Sequence, residues 1–366
     1  MGYAIDRRQW IKTSAMALAG LMTAPRLDVF PQQTDDIIML HNNESPFGIS
    51  PKAGSAITDT LDRSNRYPHE DYPQLIDLIA KQENVPPDHI ILGAGSTDVM
   101  VTLIHLVQNR GELLVGDPTY FDFIYYANMA GCTLNRVPLN SDFEHDLEGM
   151  KKQISPRTGM IYICNPNNPT GSITPKNTLK LFCEHASKRA LVVVDEAYHE
   201  YVEDQDYASM IDLAKQKTDI VVTRTFSKIF GLAGLRIGYG IALPETIEKL
   251  NRLSRNFAPI SWLSLQAAIA SYRDRAFIRA IKEKNREMRQ YLYQELEALG
   301  FTCVPSHTNF VLFQIGQDAR DLADKLEKRK ILVRPFVFHG RQWIRVSCGT
   351  KGELQAFLFA LKTIMV

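Results

Sequence analysis

Runs of aliphatic and β-branched residues alternate with amphipathic stretches along the middle of the chain. The strand-like runs occupy residues 90–92, 113–115, 160–164, 191–194 and 220–223, and helical patterns lie between several of them. Strands that alternate with helices in this way are typical of βαβ units. The pattern predicts an α/β fold with a mostly parallel sheet flanked by helices.

The pattern changes after about residue 244. Helix-length periodicity continues to about residue 299, and short strands at 309–313 and 343–347 then alternate with helices near 319–328 and 352–364. This order predicts a smaller α+β domain. We therefore divide the chain into an N-terminal arm with part of the small domain (35–60), a large domain (61–250) and a small C-terminal domain (251–366).

Composition excludes several classes of protein. Lysine and arginine number 42 against 41 for aspartate and glutamate, so nucleic acid is not an expected partner. The five cysteines are scattered and lack CxxC spacing, and the nine histidines contain no HxxxH pair. Neither a disulfide framework nor a metal centre is predicted.

Residues 1–24 resemble a twin-arginine export signal. The pair Arg7-Arg8 precedes an aromatic residue, a lysine and an uncharged run over residues 13–24, which is the order expected of such a signal. The run is too short for a stable membrane span. Export to the periplasm is therefore predicted, and the alternative is an N-terminal arm on a cytoplasmic protein.

The segment 225–236, TFSKIFGLAGLR, carries the most informative chemistry. Lys228 lies close to the hydroxyls of Thr225 and Ser227, and Arg236 follows eight residues later. A partly buried lysine shifts its pKa readily, which suits it to covalent binding of an aldehyde. Hydroxyls and a guanidinium bind a phosphate. The segment therefore predicts that Lys228 holds pyridoxal 5'-phosphate (PLP).

The earlier strands also end in polar residues. Gly95, Ser96 and Thr97 open a helix whose N-terminal amides attract an anion, although an ordinary strand-to-helix turn is the alternative. Asp98 stands where a dinucleotide-binding motif requires its third glycine. Tyr120 follows the next strand, where it either stacks on a planar ring or packs at the surface.

Three further residues follow the next two strands. Asn168 lies in the constrained loop NPNNPTG, and its amide suits a ring hydroxyl. Asp195 ends a continuous apolar run, and a buried carboxylate needs a partner such as a protonated pyridine nitrogen; a helix N-cap is the alternative. Tyr198 would reach the phenolic oxygen of the same ring.

One arginine lies in a strand near the C-terminus. Arg345 falls in the middle of QWIRVSCGT, where its planar guanidinium suits a substrate α-carboxylate. A structural salt bridge is the alternative.

Taken in order, eight motifs resemble those of fold-type I, class I/II PLP-dependent aminotransferases, and most of all the histidinol-phosphate aminotransferase branch. They span about residues 38–364 and are NNESPFG, RYP, GAGSTD, DPTY, NPNNPTG, DEAY, TFSKxxGLAGLR and WIRVSCGT. The resemblance implies a homodimer that transfers an amino group between an amino acid, or a histidinol-phosphate-like amine, and a 2-oxo acid. A PLP-dependent lyase, decarboxylase or racemase is the alternative. Residues 255–261 depart from the pattern of that branch, so the substrate stays open.

The resemblance also implies a role for each residue. Lys228 would bind the cofactor aldehyde and carry a proton, Asp195 would pair with the pyridine nitrogen, and Tyr120 would stack on the ring. Asn168 and Tyr198 would contact the ring hydroxyl. The phosphate would be bound by Gly95, Ser96, Thr97, Ser227 and Arg236, by Tyr67 of the neighbouring subunit, and less strongly by Thr225. Arg345 would bind the α-carboxylate; Arg334 either contacts the far end of the substrate or forms a surface salt bridge.

Overall fold

The computed structural model describes residues 37–68, 71–109, 111–216, 219–254 and 260–365. All the elements belong to one unit, residues 38–366. The strands are β1 (Ile38–Met39), β2 (Ile90–Gly93), β3 (Glu112–Asp117), β4 (Thr133–Pro138), β5 (Thr158–Cys164), β6 (Leu191–Asp195), β7 (Ile220–Thr225), β8 (Gly238–Ile241), β9 (Cys303–Val304), β10 (Phe310–Ile315), β11 (Ile331–Leu332), β12 (Arg334–Phe338) and β13 (Arg341–Ser347). The helices are α1 (Pro51–Thr58), α2 (Tyr72–Glu83), α3 (Ser96–Val107), α4 (Phe121–Met129), α5 (Leu147–Gln153), α6 (Lys176–Ala186), α7 (Ile211–Ala214), α8 (Pro244–Leu253), α9 (Trp262–Arg273), α10 (Arg275–Ala298), α11 (Ala319–Glu327) and α12 (Lys351–Met365).

The large sheet has seven strands in the order β2-β8-β7-β6-β5-β3-β4. β4, β3, β5, β6 and β7 are parallel neighbours, whereas β8 is antiparallel to both β7 and β2. Six strands therefore point the same way and only β8 is reversed. Their carboxyl ends share one edge of the sheet with the start of β8, and ligands bind at this edge in open α/β sheets.

The central strands are buried on both faces. All five residues of β6 except the first are buried, and every residue of β7 is buried. Continuous apolar strands of this kind are characteristic of a parallel sheet covered by helices on both faces. The prediction of a mostly parallel sheet flanked by helices is confirmed.

A smaller antiparallel sheet has the order β12-β13-β10-β9, and β1 pairs in parallel with β11. The small antiparallel sheet has its own apolar cluster. Residues from both ends of the unit form it, since Leu40 packs there with residues of α11, α12 and the end of α10. The predicted additional small α+β region is present. The residues that follow β1 are thus held against the small sheet, since Leu40 packs in its apolar cluster and accepts a hydrogen bond from the backbone amide of Ser347.

Two helices beyond residue 250 pack against the large sheet instead. Leu265 and Ala268 of α9 and Ile281 of α10 belong to the same buried cluster as Val194 and Val222 of the central strands. α10 therefore spans both apolar clusters, because Leu292 and Leu296 near its end belong to the second. The residue limits of the two domains stay a prediction.

The strand-like runs at 90–92, 113–115, 160–164, 191–194 and 220–223 all lie in observed strands. Within the large sheet, sequence analysis missed β4 and β8; it also missed the short strands β1, β9 and β11 and the strand β12. β8 contains two glycines among four residues, and Gly238 leaves no room for a side chain because its Cβ would lie 2.3 Å from the amide nitrogen of Ser96. No helix in the described part of the chain is long and apolar enough to cross a membrane. The predicted export signal, residues 1–24, lies outside the described residues.

Candidate active site

Lys228 follows β7 directly, at the shared edge of the large sheet. Its side chain is partly buried, and Nζ donates a hydrogen bond to the carbonyl oxygen of Asn42 at 3.1 Å. Burial, and then the positive charges of Arg345 and Arg236, lower the pKa of Lys228 to about 8. The amine is therefore partly neutral, and nucleophilic, near physiological pH.

Asp195 ends β6 at the same edge and is 2% exposed. Tyr162 donates to its Oδ2 at 2.9 Å, and Thr223 donates to its Oδ1 at 3.2 Å. Both donors are neutral, and burial raises the pKa of Asp195 to about 6. Asp195 is not a helix N-cap, because the next helical turn begins only at His199. It is a buried acid with no cation paired to it in the described part of the chain.

Tyr198 is surrounded by amide groups. Asn43 donates from Nδ2 to the Tyr198 oxygen at 2.9 Å, and Asn168 does so at 3.5 Å. The Tyr198 ring packs edge-on against Phe310, and the Lys228 ammonium lies 5.8 Å from its centroid. The structure thus brings Asn168, Tyr198 and Lys228 together, and their contacts with the cofactor stay a prediction.

A second group of residues forms a corner at the N-terminus of α3, which we call the anion-binding corner after its predicted role. α3 begins after Gly95, and no side chain in the described part of the chain caps its amides. A Cβ on Gly95 would lie 2.6 Å from Nη2 of Arg236. Arg236 also donates to the Ser227 hydroxyl at 3.3 Å. The guanidinium therefore lies directly against the open N-terminus of a helix, where backbone amides and the helix dipole favour an anion.

The remaining predicted residues of this corner lie beside it. Thr225 donates from its hydroxyl to Ser227 at 2.9 Å, so it supports that serine. Thr97, in the first turn of α3, lies 3.4 Å from the Tyr120 hydroxyl, which donates to Asp122. Tyr120 is therefore next to the anion-binding corner, and burial raises its pKa above the ordinary value.

Arg345 projects from β13 and is 6% exposed. It donates to the Asn168 Oδ1 and to the carbonyl oxygen of His41, both at 2.5 Å. Among the described residues, its Nε has no hydrogen-bond partner and no carboxylate lies within salt-bridge distance. The structural salt bridge considered for Arg345 is therefore not what holds it, and burial lowers its pKa to about 10.

Arg334 lies opposite Arg345 in the antiparallel pairing of β12 and β13. Directly paired residues project from the same face of a sheet, so the two guanidinium groups extend from one surface. Arg334 is exposed, and its guanidinium lies 6.0 Å from the ring centroid of Phe121. Its placement suits the far end of a substrate, which stays a prediction.

Tyr67 is 74% exposed and lies between a short helical turn, Leu61–Arg63, and α2. Its predicted contact with the cofactor of a neighbouring subunit is not tested within one chain. An exposed side chain is what such a contact requires.

Sequence analysis missed the contribution of residues 41–43. His41 and Asn42 offer their carbonyl oxygens to Arg345 and Lys228, and Asn43 offers its side-chain amide to Tyr198. The composition of the motif NNESPFG predicts only a loop. Its contacts arise because the small sheet holds this loop beside residues more than 150 positions away.

A buried ionic network lies behind the site. Arg224 of β7 forms ion pairs with Glu196 at 2.8 Å and with Glu83 at 2.9 Å, and all three are largely buried. Arg224 lies between Thr223 and Thr225, whose hydroxyls bind Asp195 and Ser227. Because side chains alternate along a strand, Arg224 and its ion pairs lie on one face of β7, and the two threonines project from the other face, toward the site.

The groups at this edge fit PLP. A buried carboxylate without a cation matches a pyridinium, and the corner at Gly95 and Arg236 matches a phosphate. A lysine of lowered pKa matches an aldehyde. On this evidence the fold and the site define a PLP-dependent enzyme of fold type I.

The chain belongs to the aminotransferase class I and II family, whose model matches residues 35–361. It is 36% identical over 333 residues to histidinol-phosphate aminotransferase of Moorella thermoacetica, covering 90% of this chain and 86% of that protein. It is 37% identical over 330 residues to histidinol-phosphate aminotransferase 1 of Dechloromonas aromatica, covering 90% of each. The crystal structure of histidinol-phosphate aminotransferase from Sinorhizobium meliloti with pyridoxal-5'-phosphate superposes with a TM-score of 0.84 at 27% identity, covering 94% of this chain and 97% of that one. The chain is therefore a PLP-dependent aminotransferase, and amino-group transfer is favoured over the lyase, decarboxylase and racemase alternatives.

Proposed function

We propose that this aminotransferase acts on donors that carry an anion, either a carboxylate or a phosphate, and passes their amino group to a 2-oxo acid. The observation that carries the proposal is Arg345. Its guanidinium is buried without a carboxylate partner in the described part of the chain, and its Nε is left without a hydrogen-bond acceptor. A buried charge without a counter-ion is costly, so the substrate anion is the natural partner.

Histidinol phosphate is one donor that we propose. The relatives in Moorella and Dechloromonas are named for it, and it carries an amine and a phosphate. A planar guanidinium binds a phosphate or a carboxylate through two parallel hydrogen bonds. Arg334 supplies a second cation on the same face of the small sheet for substrates whose anion lies further from the amine.

Each side chain at the sheet edge has a separate role in the proposed reaction. Bound PLP supplies an electron sink for the substrate carbon that carries the amine. Lys228 would hold the cofactor through its amine, and the same amine, once free, would act as the base that moves the proton of that carbon. Asp195 would keep the pyridine nitrogen protonated, while Asn168 and Tyr198 would bind the ring hydroxyl.

The substrate proposal is tested with the substitution Arg345→Gln. For an amino-acid donor such as glutamate, we expect kcat/KM to fall roughly 100-fold, because charge-assisted hydrogen bonds contribute about 1.5–3 kcal/mol. Arg341→Gln is the matched control on the same strand, since Arg341 is exposed and donates to Gln314. Steady-state kinetics with glutamate and histidinol phosphate as donors gives the comparison. Equal kcat/KM values for the Arg345 and Arg341 variants with every anionic donor would refute the assignment.

We also propose a homodimer in which Tyr67 reaches the partner's site. Its support is the 74% exposure of Tyr67 together with three exposed side chains on one face of α4, namely Phe121, Tyr125 and Met129. Mixing an inactive Lys228→Ala protein with a Tyr67→Ala protein tests it. A mixed dimer contains one site with both native residues, so activity should appear on mixing. A monomer in light scattering, or activity no greater than the sum of the two proteins, would contradict the proposal.

We further propose export through the twin-arginine signal, supported by Arg7-Arg8 and the uncharged run that follows. The double substitution Arg7→Lys/Arg8→Lys should retain the protein in the cytoplasm, as followed by fractionation and immunoblotting. The same periplasmic share with and without the substitutions would exclude this route and favour a cytoplasmic enzyme.

A further inference from the structure

Asn43 is a buried side chain in a strained conformation at the edge of the site. It is 1% exposed and has a φ of +57°, a value that non-glycine residues seldom adopt. Its backbone amide donates to the Ser347 hydroxyl at 2.9 Å, and its carbonyl oxygen accepts from Asn309 Nδ2 at 2.9 Å. The small sheet therefore fixes the backbone of Asn43 from two sides.

The same contacts fix which end of the Asn43 amide faces the site. The Ser347 hydroxyl accepts from the Asn43 backbone amide, so its hydrogen is free to donate to the Asn43 Oδ1 at 3.2 Å. The oxygen of the amide consequently faces Ser347. The nitrogen faces Tyr198 and donates to its hydroxyl oxygen at 2.9 Å.

The orientation of Asn168 is fixed by a different neighbour. A guanidinium only donates hydrogen bonds, and Arg345 donates to Asn168 Oδ1. The Asn168 nitrogen therefore faces Tyr198 as well, at 3.5 Å. The Tyr198 oxygen thus accepts hydrogen bonds from two amides, and among the described residues it donates none.

We propose that Asn43 is a positioning residue that sets the direction of the Tyr198 hydrogen bond. With its oxygen occupied by amide donors, Tyr198 must donate its hydrogen to an incoming group, which is the cofactor's ring hydroxyl oxygen. Donation into a phenol oxygen also polarises its O–H bond and strengthens the bond that it donates. The inference rests on the proposed role of Tyr198 in binding that oxygen.

The proposal makes the effect of Asn43 depend on Tyr198. Without the Asn43 side-chain amide, Tyr198 should stabilise the deprotonated ring oxygen of the cofactor less well. The absorbance of the bound cofactor should therefore change at a higher pH midpoint. PLP should also dissociate more readily, with a Kd roughly tenfold higher, as expected for the loss of one well-placed hydrogen bond. Asn43→Gly is the informative substitution, because glycine tolerates the positive φ while the amide is lost.

The experiment is a double-mutant cycle on the PLP-loaded protein. The midpoint and the Kd are measured by spectroscopic titration for the native protein, Asn43→Gly, Tyr198→Phe and the double variant. Asn251→Ala, on the exposed side of α8, is the control for handling and folding, together with a thermal melt of each protein. We expect Asn43→Gly to raise both quantities in the native background and to change neither in the Tyr198→Phe background.

Two outcomes would overturn the inference. An equal shift by Asn43→Gly in both backgrounds would mean that Asn43 acts through the fold and not through Tyr198. No shift in the native background would mean that the amide does not influence the cofactor. If Tyr198→Phe itself left the midpoint unchanged, the proposed role of Tyr198 would fail, and this result is distinguishable from the other two.

Discussion

Replacing Asp195 with asparagine tests the electrostatics of the site most sharply, because the direction of its effect depends on pH and on the cofactor. Burial raises the pKa of Asp195 from 3.8 to about 6. The folded protein therefore holds this proton more tightly than the unfolded chain, and stability falls as the pH rises from about 4 to about 6. A shift of about 2 units corresponds to roughly 3 kcal/mol lost above that window.

Asparagine carries no charge, so this penalty disappears in Asp195→Asn. The substitution itself costs about 1 kcal/mol, because either Tyr162 or Thr223 must turn its hydroxyl so that it accepts a hydrogen bond from the new amide. The cofactor-free variant should therefore be more stable than the native protein by roughly 2 kcal/mol at pH 8. The advantage should shrink by about 2 kcal/mol at pH 4.5, where most of the native carboxylate's penalty is absent.

The assay is urea unfolding of both cofactor-free proteins at pH 8 and pH 4.5. The difference between the two proteins at each pH removes the contributions of all other titrating groups. Saturating PLP should reverse the order at pH 8, because a pyridinium compensates only the native carboxylate. A stability difference that is the same at both pH values, or PLP affinity equal in the two proteins, would refute the assignment of Asp195.

Three further predictions follow from the same geometry. Arg224→Leu should destabilise the fold by about 3–5 kcal/mol, because it leaves two buried carboxylates unpaired. Arg252→Leu breaks an exposed ion pair within α8 and should change the free energy of unfolding by no more than about 0.5 kcal/mol. Equal losses of stability in urea unfolding would contradict this contrast. Gly95→Ala should raise the Kd of PLP at least roughly tenfold, because the new Cβ would meet the Arg236 guanidinium. Gly131 has a similar positive φ but open space around it, so Gly131→Ala should reduce stability by about 1 kcal/mol and leave PLP affinity unchanged. The rate at which Lys228 binds PLP covalently should rise with pH and level off above about 8, the pKa of its amine, and a stopped-flow profile with its midpoint near 10 would contradict the lowered pKa.

The fold was largely predictable because its central strands are buried on both faces. β5, β6 and the first half of β7 contain runs of apolar residues, and this signal does not depend on distant contacts. β4 was missed because its polar residues alternate with few apolar ones. β8 was missed because its glycines are required by close approach to α3, and a sequence does not show such an approach.

The polar residues that end the parallel strands were predictable for a related reason. Asp195 and Lys228 each follow a recognisable strand, so the shared edge of the sheet brings them together. The unpartnered state of Arg345 was not predictable, because it depends on which carboxylates the fold places near β13. The role of residues 41–43 was hidden for the same reason, since their contacts are made across the two sheets.

The most direct test of the account is the fate of the donor's nitrogen. The PLP-loaded protein is incubated with ¹⁵N-glutamate and a second 2-oxo acid, and the products are followed by mass spectrometry, with Lys228→Ala as the control. We predict that the label appears in the amino acid formed from the 2-oxo acid, in equal amount to the 2-oxoglutarate released, and that the control protein does not transfer it. Label released as ammonia, or exchange of the glutamate Cα hydrogen with solvent in the absence of any labelled product, would contradict amino-group transfer by this site.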